Sequence, residues 1–220
     1  METIEGYSAF PTTEEERRAV PNINPIVDTR LRSGFVKVAE VTGVSTALSN
    51  IVFLNGIVRG YSYNERIGNV VHIHEVDIRV SRNNGINTEP LFTRYMCVGD
   101  SGVNGSTPLL ASIVEPTYSW QSHYTYSTSH RFNVYYDRTF ACGGKVQDNP
   151  AIGTDVFDPF QSAWHRIHFN FKPAMISQYT ASGGTISSII TNAIYFVFVH
   201  SAAGNPPNLT YNTRVYYTDS

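Results

Sequence analysis

The sequence predicts an all-β domain. Fourteen tyrosines and twelve phenylalanines stand among many Val, Ile, Thr, Asn and Gly residues, a composition suited to pleated, half-buried strands. Only 15% of the 220 residues are charged, against ~25% in ordinary soluble domains, which argues against disorder and against salt-bridged surface helices. From residue 34 onward, short apolar runs separated by Gly, Pro and Asn follow one another to the C-terminus. A chain of this length buries a substantial core without disulfide staples.

Residues 1–33 read as an N-terminal arm. Thr13 and Glu16 have capping-box spacing, and Glu14, Glu15 and Glu16 suit the positive end of a short helix. Pro21 and Pro25 stop that helix, so the segment is either a short helix or a polar arm. The strand domain, 34–220, opens with Phe35 to Gly43 and a second strand within Ala47 to Gly60. Val70 to Val80 is the third. Its apolar parity switches at His74-Glu75, as a β-bulge requires, and Asn83-Asn84-Gly85 closes it with turn chemistry. Leu91 to Val98 is the fourth strand, followed by a Gly-rich loop and a helical turn at Leu109 to Val114.

Arg131 to Phe140 alternates with Phe132, Val134 and Tyr136 inward and Asn133, Tyr135 and Asp137 outward. His165 to Lys172 alternates through Ile167, Phe169 and Phe171. Ala193 to Val199 is apolar on both parities, as a strand covered on both faces is, and Thr213 to Thr218 alternates again. Eight antiparallel strands in one domain predict a single jelly roll, a two-sheet sandwich, behind the short N-terminal arm or helix.

Several classes fall away. The longest apolar run is far short of the ~20 residues that span a bilayer as a helix, so no membrane is expected among the partners. Met1-Glu2-Thr3-Ile4-Glu5 is acidic and has no apolar core, unlike a secretory signal. Cys97 and Cys142 read as buried reduced thiols. A formal net charge of −2 is no electrostatic footprint for nucleic acid.

Three motifs invite a chemical reading. Gly99-Asp100-Ser101-Gly102 has the letters of a serine-protease nucleophile, but His72, His74 and Asp77 crowd onto one short strand, and a Gly-rich loop explains the same letters. His72 and His74 have metal-ligand spacing of the cupin type. The carboxylate a cupin needs after three or four intervening residues is replaced by Ile78 and Arg79. Arg166, His168, Asn170 and Lys172 share a parity, forming either a basic patch or a solvated outer face.

Leu54-Asn55-Gly56-Ile57-Val58-Arg59-Gly60 followed by Asn64-Glu65-Arg66-Ile67-Gly68-Asn69, then Arg131-Phe132-Asn133-Val134-Tyr135-Tyr136-Asp137-Arg138-Thr139, then the ending Val215-Tyr216-Tyr217-Thr218-Asp219-Ser220, stand in a telling order. Together, from Leu48 to the end, they resemble the capsid proteins of satellite tobacco necrosis virus and the related coats of small circular single-stranded DNA viruses. The resemblance implies a single jelly roll without catalytic activity, located in the virion. It also implies that about sixty copies close into an icosahedral shell around a single-stranded DNA or RNA genome.

No cofactor is required on this reading. It does imply calcium at subunit interfaces, with Asp219 as ligand and the main-chain carbonyls of Ile67 and Val70 as partners, against the plainer expectation that Asp219 is salt-bridged or solvated. The coats it resembles begin with a basic arm, whereas Glu14-Glu15-Glu16-Arg17-Arg18 is net acidic. Genome contact is therefore expected from Arg17, Arg18, Arg30, Arg32 and Lys37. The alternative is a carbohydrate-binding jelly roll of the lectin kind using Trp120 or Trp164 as a sugar platform. Otherwise Trp164 is a core residue and Trp120 a packed loop residue.

Overall fold

Extended backbone forms wherever the sequence alternates or runs apolar. In the computed structural model of the chain, which describes residues 36–83, 91–115, 120–142, 146–149, 154–156, 162–201 and 206–219, all the strands lie in one compact unit, Lys37–Ser220. They are β1 Lys37–Ser45, β2 Ser49–Phe53, β3 Val70–Asn83, β4 Leu91–Asp100, β5 Phe132–Cys142, β6 Val146–Asn149, β7 Thr154–Val156, β8 Ser162–Tyr179, β9 Ile189–Thr191, β10 Ala193–His200 and β11 Asn208–Asp219. Among the described residues, three single turns of 3₁₀ helix accompany them, one at Leu110–Ser112 inside the expected helical turn.

The strands form two antiparallel sheets, ordered β1-β11-β3-β8-β9 and β2-β10-β4-β5, with a separate β6-β7 pair. Each of the eight expected strands is present as β1–β5, β8, β10 and β11. Strands β6, β7 and β9 are additions, three or four residues each, too short to show a period.

The inner faces meet through aromatic contacts. Phe196 of β10 lies 6.0 Å from Tyr211 of β11, and Tyr95 of β4 lies 5.5 Å from His165 of β8. The parity switch in β3 is a bulge. Glu75 pairs with Tyr216 and Ile73 with Tyr217, which leaves His74 without an opposite residue on β11. Val71 and Ile73 before it and Val76, Ile78 and Val80 after it therefore all reach the core.

A second irregularity corrects the reading of β5. Cys97 pairs with Tyr136 and Val98 with Val134, so Tyr135 is the extra residue. Its ring turns inward onto Phe171 (4.9 Å) and Phe169 (5.7 Å), while Val134 is exposed. One inserted residue inverts the faces of its neighbours, and alternation alone does not reveal it.

Every residue of β10 is buried, and the register explains why. Phe196 and Phe198 lie opposite Cys97 and Tyr95 on the inner face, whereas Tyr195, Val197 and Val199 lie opposite Val98, Met96 and Arg94 on the outer one. The connection from β4 to β5 covers that outer face. Arg94 donates to the Ser122 carbonyl and its guanidinium sits over Tyr124, and the connection contributes buried Ile113 and Val114.

A polar cluster lies between the sheets near the C-terminal end of β3. Arg82 is fully buried and donates to Thr93 Oγ1, which lies 2.7 Å from His200 Nδ1. Burial, aided by the Arg82 charge, pushes the His200 imidazole down to about 4 from 6.5.

Phe196→Ala is expected to cost about 3–5 kcal/mol, while Val134→Ala stays within ~0.5 kcal/mol; urea unfolding midpoints measure both. Acid should also weaken the fold through His200. Between pH 6.5 and 4 the unfolded chain binds the extra proton, so its contribution is complete above about 6.5 and is lost as the pH falls towards 4. The loss is on the order of 3 kcal/mol. Urea midpoints at pH 7 and 4.5 should separate, and His200→Gln should narrow the gap.

Candidate functional site

The connection from β2 to β3 pairs with itself through an isolated bridge, Arg59 with Arg66, and its other backbone groups need partners elsewhere. Arg66, fully buried, provides several of them. Its Nε donates to the Ile57 carbonyl (3.0 Å), Nη1 to Gly68 O and to Asn69 Oδ1, and Nη2 to the Ala181 carbonyl. The guanidinium lies 4.3 Å from the Tyr179 ring centroid, and Tyr179 Oη donates to the Asn55 carbonyl (2.8 Å).

Asn55 is equally buried. Its Nδ2 donates to Ser177 Oγ and the Asn192 carbonyl, and its Oδ1 accepts the Ile194 N–H (2.7 Å). Gly56 is required here, because a β-carbon would fall on the Gly184 carbonyl oxygen. The motif letters of this connection are therefore the residues that hold it to β8, to β10 and to the residue that joins β9 to β10. Sequence reading missed these roles; the available signal was Asn55 set among Leu54, Gly56 and Ile57, while Arg66 stands in a polar run that gives none.

The end of β11 meets this connection. Asp219 Oδ1 accepts the Ile67 N–H (3.2 Å), and Oδ2 lies 2.6 Å from Lys37 Nζ, which also donates to the Glu65 carbonyl (2.7 Å). Val70 opens β3 opposite Gln178, next to the pairing of Val71 with Asp219. The structure thus brings Asp219, Ile67 and Val70 to one place, together with Lys37.

The donors present there do not fit calcium within one chain. An ammonium already faces the carboxylate, Ile67 offers Asp219 its N–H, and the Ile67 carbonyl accepts from Arg59 Nε (3.0 Å). Lys37, expected among the genome contacts, is engaged in this ion pair and largely buried. Arg17, Arg18, Arg30 and Arg32 lie outside the described residues.

The outer face of the five-stranded sheet carries paired charges. Arg166 grips Asp77 through two hydrogen bonds, His168 Nε2 lies 3.0 Å from Glu75, and Arg214 Nε lies 2.7 Å from Glu40. Arg166, His168, Asn170 and Lys172 do share this exposed face, but acids on the neighbouring strand answer the first two. Trp164 is also here, 76% exposed rather than in the core, beside a groove of about 270 Å³ lined by Asp77, Arg79, Asn212 and Arg214. Trp120 is packed, stacked on Phe92 at 4.5 Å.

Asp100 of the Gly-Asp-Ser-Gly loop is buried under Arg131, held at 2.7 and 2.6 Å, and Ser101 Oγ donates to the Arg131 carbonyl. That loop is a structural clamp. His74 sits at the β3 bulge with Nε2 2.9 Å from Thr218 Oγ1. No known protein-family profile matches the chain, and no curated protein is significantly similar to it in sequence.

A metal chelator should leave the thermal midpoint unchanged, whereas Lys37→Met should lower it by about 3 °C, roughly 1 kcal/mol. Differential scanning calorimetry measures both. A chelator effect reversed by calcium would contradict this assignment of the Asp219 charge.

Proposed function

We propose that this chain is a viral coat protein, a single jelly roll that self-assembles into a small icosahedral shell of about sixty copies around a single-stranded genome. The observation that carries the reading is strand pairing. Among the eight long strands the first pairs with the last, β1 with β11, then β2 with β10, β3 with β8 and β4 with β5. A jelly roll is a long antiparallel ribbon rolled into a sandwich, and it pairs its strands in this nested order. The motif resemblance described above supplies the link from that roll to a coat.

Surface composition supports it further. Tyr61 and Tyr63 in the β2–β3 connection, and Leu109 and Tyr126 in the β4–β5 connection, are strongly exposed. Aromatic residues are enriched in protein contacts and charged ones depleted at their centres. Such side chains on two different connections suit heterologous contacts, in which one patch meets another and the rotation closes.

A second reading has an observation of its own. The exposed Trp164 beside a polar groove favours a carbohydrate-binding module, which would run as a monomer or small oligomer.

Size-exclusion chromatography with light scattering, followed by negative-stain microscopy, separates the two. The coat reading expects a particle of about 1.5 MDa, sixty chains of 24.5 kDa each. Monomer or dimer at every pH and salt concentration would overturn it. Packaging is expected to be salt-sensitive and independent of genome sequence. Changing Arg17, Arg18, Arg30 and Arg32 to Ser should lower the 260/280 nm absorbance ratio of purified particles.

A further inference from the structure

Among the described residues, three arginines each grip a carboxylate through two hydrogen bonds, and all use the same side of the guanidinium. Arg94 grips Asp137 through Nε (2.8 Å) and Nη2 (2.6 Å), and Arg131 grips Asp100 through Nε (2.7 Å) and Nη2 (2.6 Å). Arg166 grips Asp77 the same way, at 2.8 and 3.1 Å. That side presents two parallel N–H groups, spaced to meet two oxygens of one oxyanion.

Arg82 presents the same fork, and unlike those three it is fully buried. Its Nη1 is engaged by Thr93 Oγ1 and the Phe140 carbonyl, while Nε and Nη2 have no hydrogen-bond partner. Among the described residues no carboxylate pairs with it.

The neighbouring groups extend the pattern. A guanidinium cannot accept, so Thr93 Oγ1 takes a hydrogen bond from Arg82 and has its own proton to offer His200 Nδ1, 2.7 Å away. In the tautomer that accepts it, the neutral imidazole carries its hydrogen on Nε2, a buried atom that also lacks a partner. His165 Nε2, on β8, is in the same condition, and the Arg82 charge lowers the pKa of both imidazoles, which places both within its field. Rings form the walls: Phe140 is 4.0 Å from His165, and Phe198 is 5.4 Å from His200.

We propose that Arg82 and His200 form an internal binding site for a small oxyanion of the phosphate or carboxylate type. Arg82 Nε–H and Nη2–H take two of its oxygens, and His200 Nε2–H donates a third hydrogen bond. The donor set dictates the ligand class. A permanent positive charge and partnerless donors, with no acid beside them among the described residues, call for an anion rich in lone pairs, because a buried charge is tolerated when it is paired and hydrogen-bonded. The two parallel N–H groups match two oxygens of one anion, a better fit than a single-atom anion such as chloride offers. The site is internal to one chain and does not depend on the coat reading.

The test uses the full-length protein in phosphate-free zwitterionic buffer, ionic strength held with sodium chloride. Equilibrium dialysis against radiolabelled inorganic phosphate should give one phosphate per chain. The thermal midpoint should rise by roughly 5–10 °C once phosphate exceeds its dissociation constant a hundredfold. Formate in a parallel titration distinguishes a planar carboxylate ligand from a tetrahedral phosphate. Arg82→Met should abolish binding, and Arg82→Lys, which keeps the charge without the fork, should lose at least tenfold in affinity. If Arg82→Met fails to fold, the wild-type dialysis and the Lys variant still decide. Two results would overturn the proposal: no stoichiometric binding of either anion, meaning that the chain supplies its own counter-charge, or binding unchanged in both variants, meaning that the anion sits elsewhere.

Discussion

Arg66 is the residue on which one end of this sandwich depends. The connection between β2 and β3 crosses the domain without a strand partner, and unpaired backbone groups in such a place are costly to bury. One guanidinium answers carbonyls from Ile57, Gly68 and Ala181 at once. It thereby ties the connection to itself and to the chain beyond β8. Its geometry suits the task, since five fixed donors reach acceptors in several directions where an ammonium on a flexible stem cannot hold such an array.

The consequences spread along hydrogen bonds. Tyr179, beneath the guanidinium, fixes the Asn55 carbonyl, and the Asn55 amide locks Ser177, Asn192 and Ile194, so β8, β10 and the residue that joins β9 to β10 are pinned to one connection. Asp219 then brings the end of β11 to the same segment through Ile67 and Lys37. This end is a closed set in which Arg66 and Asn55 find their partners. The cluster of Arg82, Thr93 and His200 differs in kind. There a guanidinium of similar burial has one arm engaged and two donors left over. Two buried arginines in one domain, one saturated by carbonyls and one not, have the same chemistry and opposite degrees of completion. That contrast separates a structural role from a ligand-binding one.

Strand positions were legible in the sequence because burial on a pleated surface leaves a period of two, and the His74 bulge was legible because it broke that period within β3. The Tyr135 irregularity was not, since Phe132, Val134 and Tyr136 alternate well enough to hide an inserted residue. The run from Ala193 to Val199 announced a doubly covered strand, yet what covers it, a connection contributing Ile113, Val114 and Ser122, is a tertiary fact that no local pattern carries. Around the candidate site, the meeting of Asp219 with Ile67 was implied by the motif resemblance and not by spacing. The pairing of Asp77 with Arg166 and of Glu75 with His168 depends on the register between β3 and β8, which a single sequence does not encode in readable form.

Those cross-strand pairs bear on where a genome would be gripped. Arg166 and His168 look like part of a basic face when β8 is read alone, but Asp77 and Glu75 stand against them in the folded sheet, as Glu40 does against Arg214 of β11. A face balanced in this way attracts phosphate weakly, because that attraction rests on uncompensated cations. On the coat reading, sixty chains at −2 would give a shell of about −120, and affinity for a genome would have to come from local segregation of charge. The sequence contains one such segregation. Glu2, Glu5, Glu14, Glu15 and Glu16 precede Arg17, and from Arg17 to Lys37 five cations are accompanied by one acid, Asp28. Lys37 is claimed by Asp219, which leaves four arginines against one aspartate in the chain just before β1. On a coat subunit that stretch is where phosphate would be neutralised, and the paired sheet face is left for contacts that do not require charge.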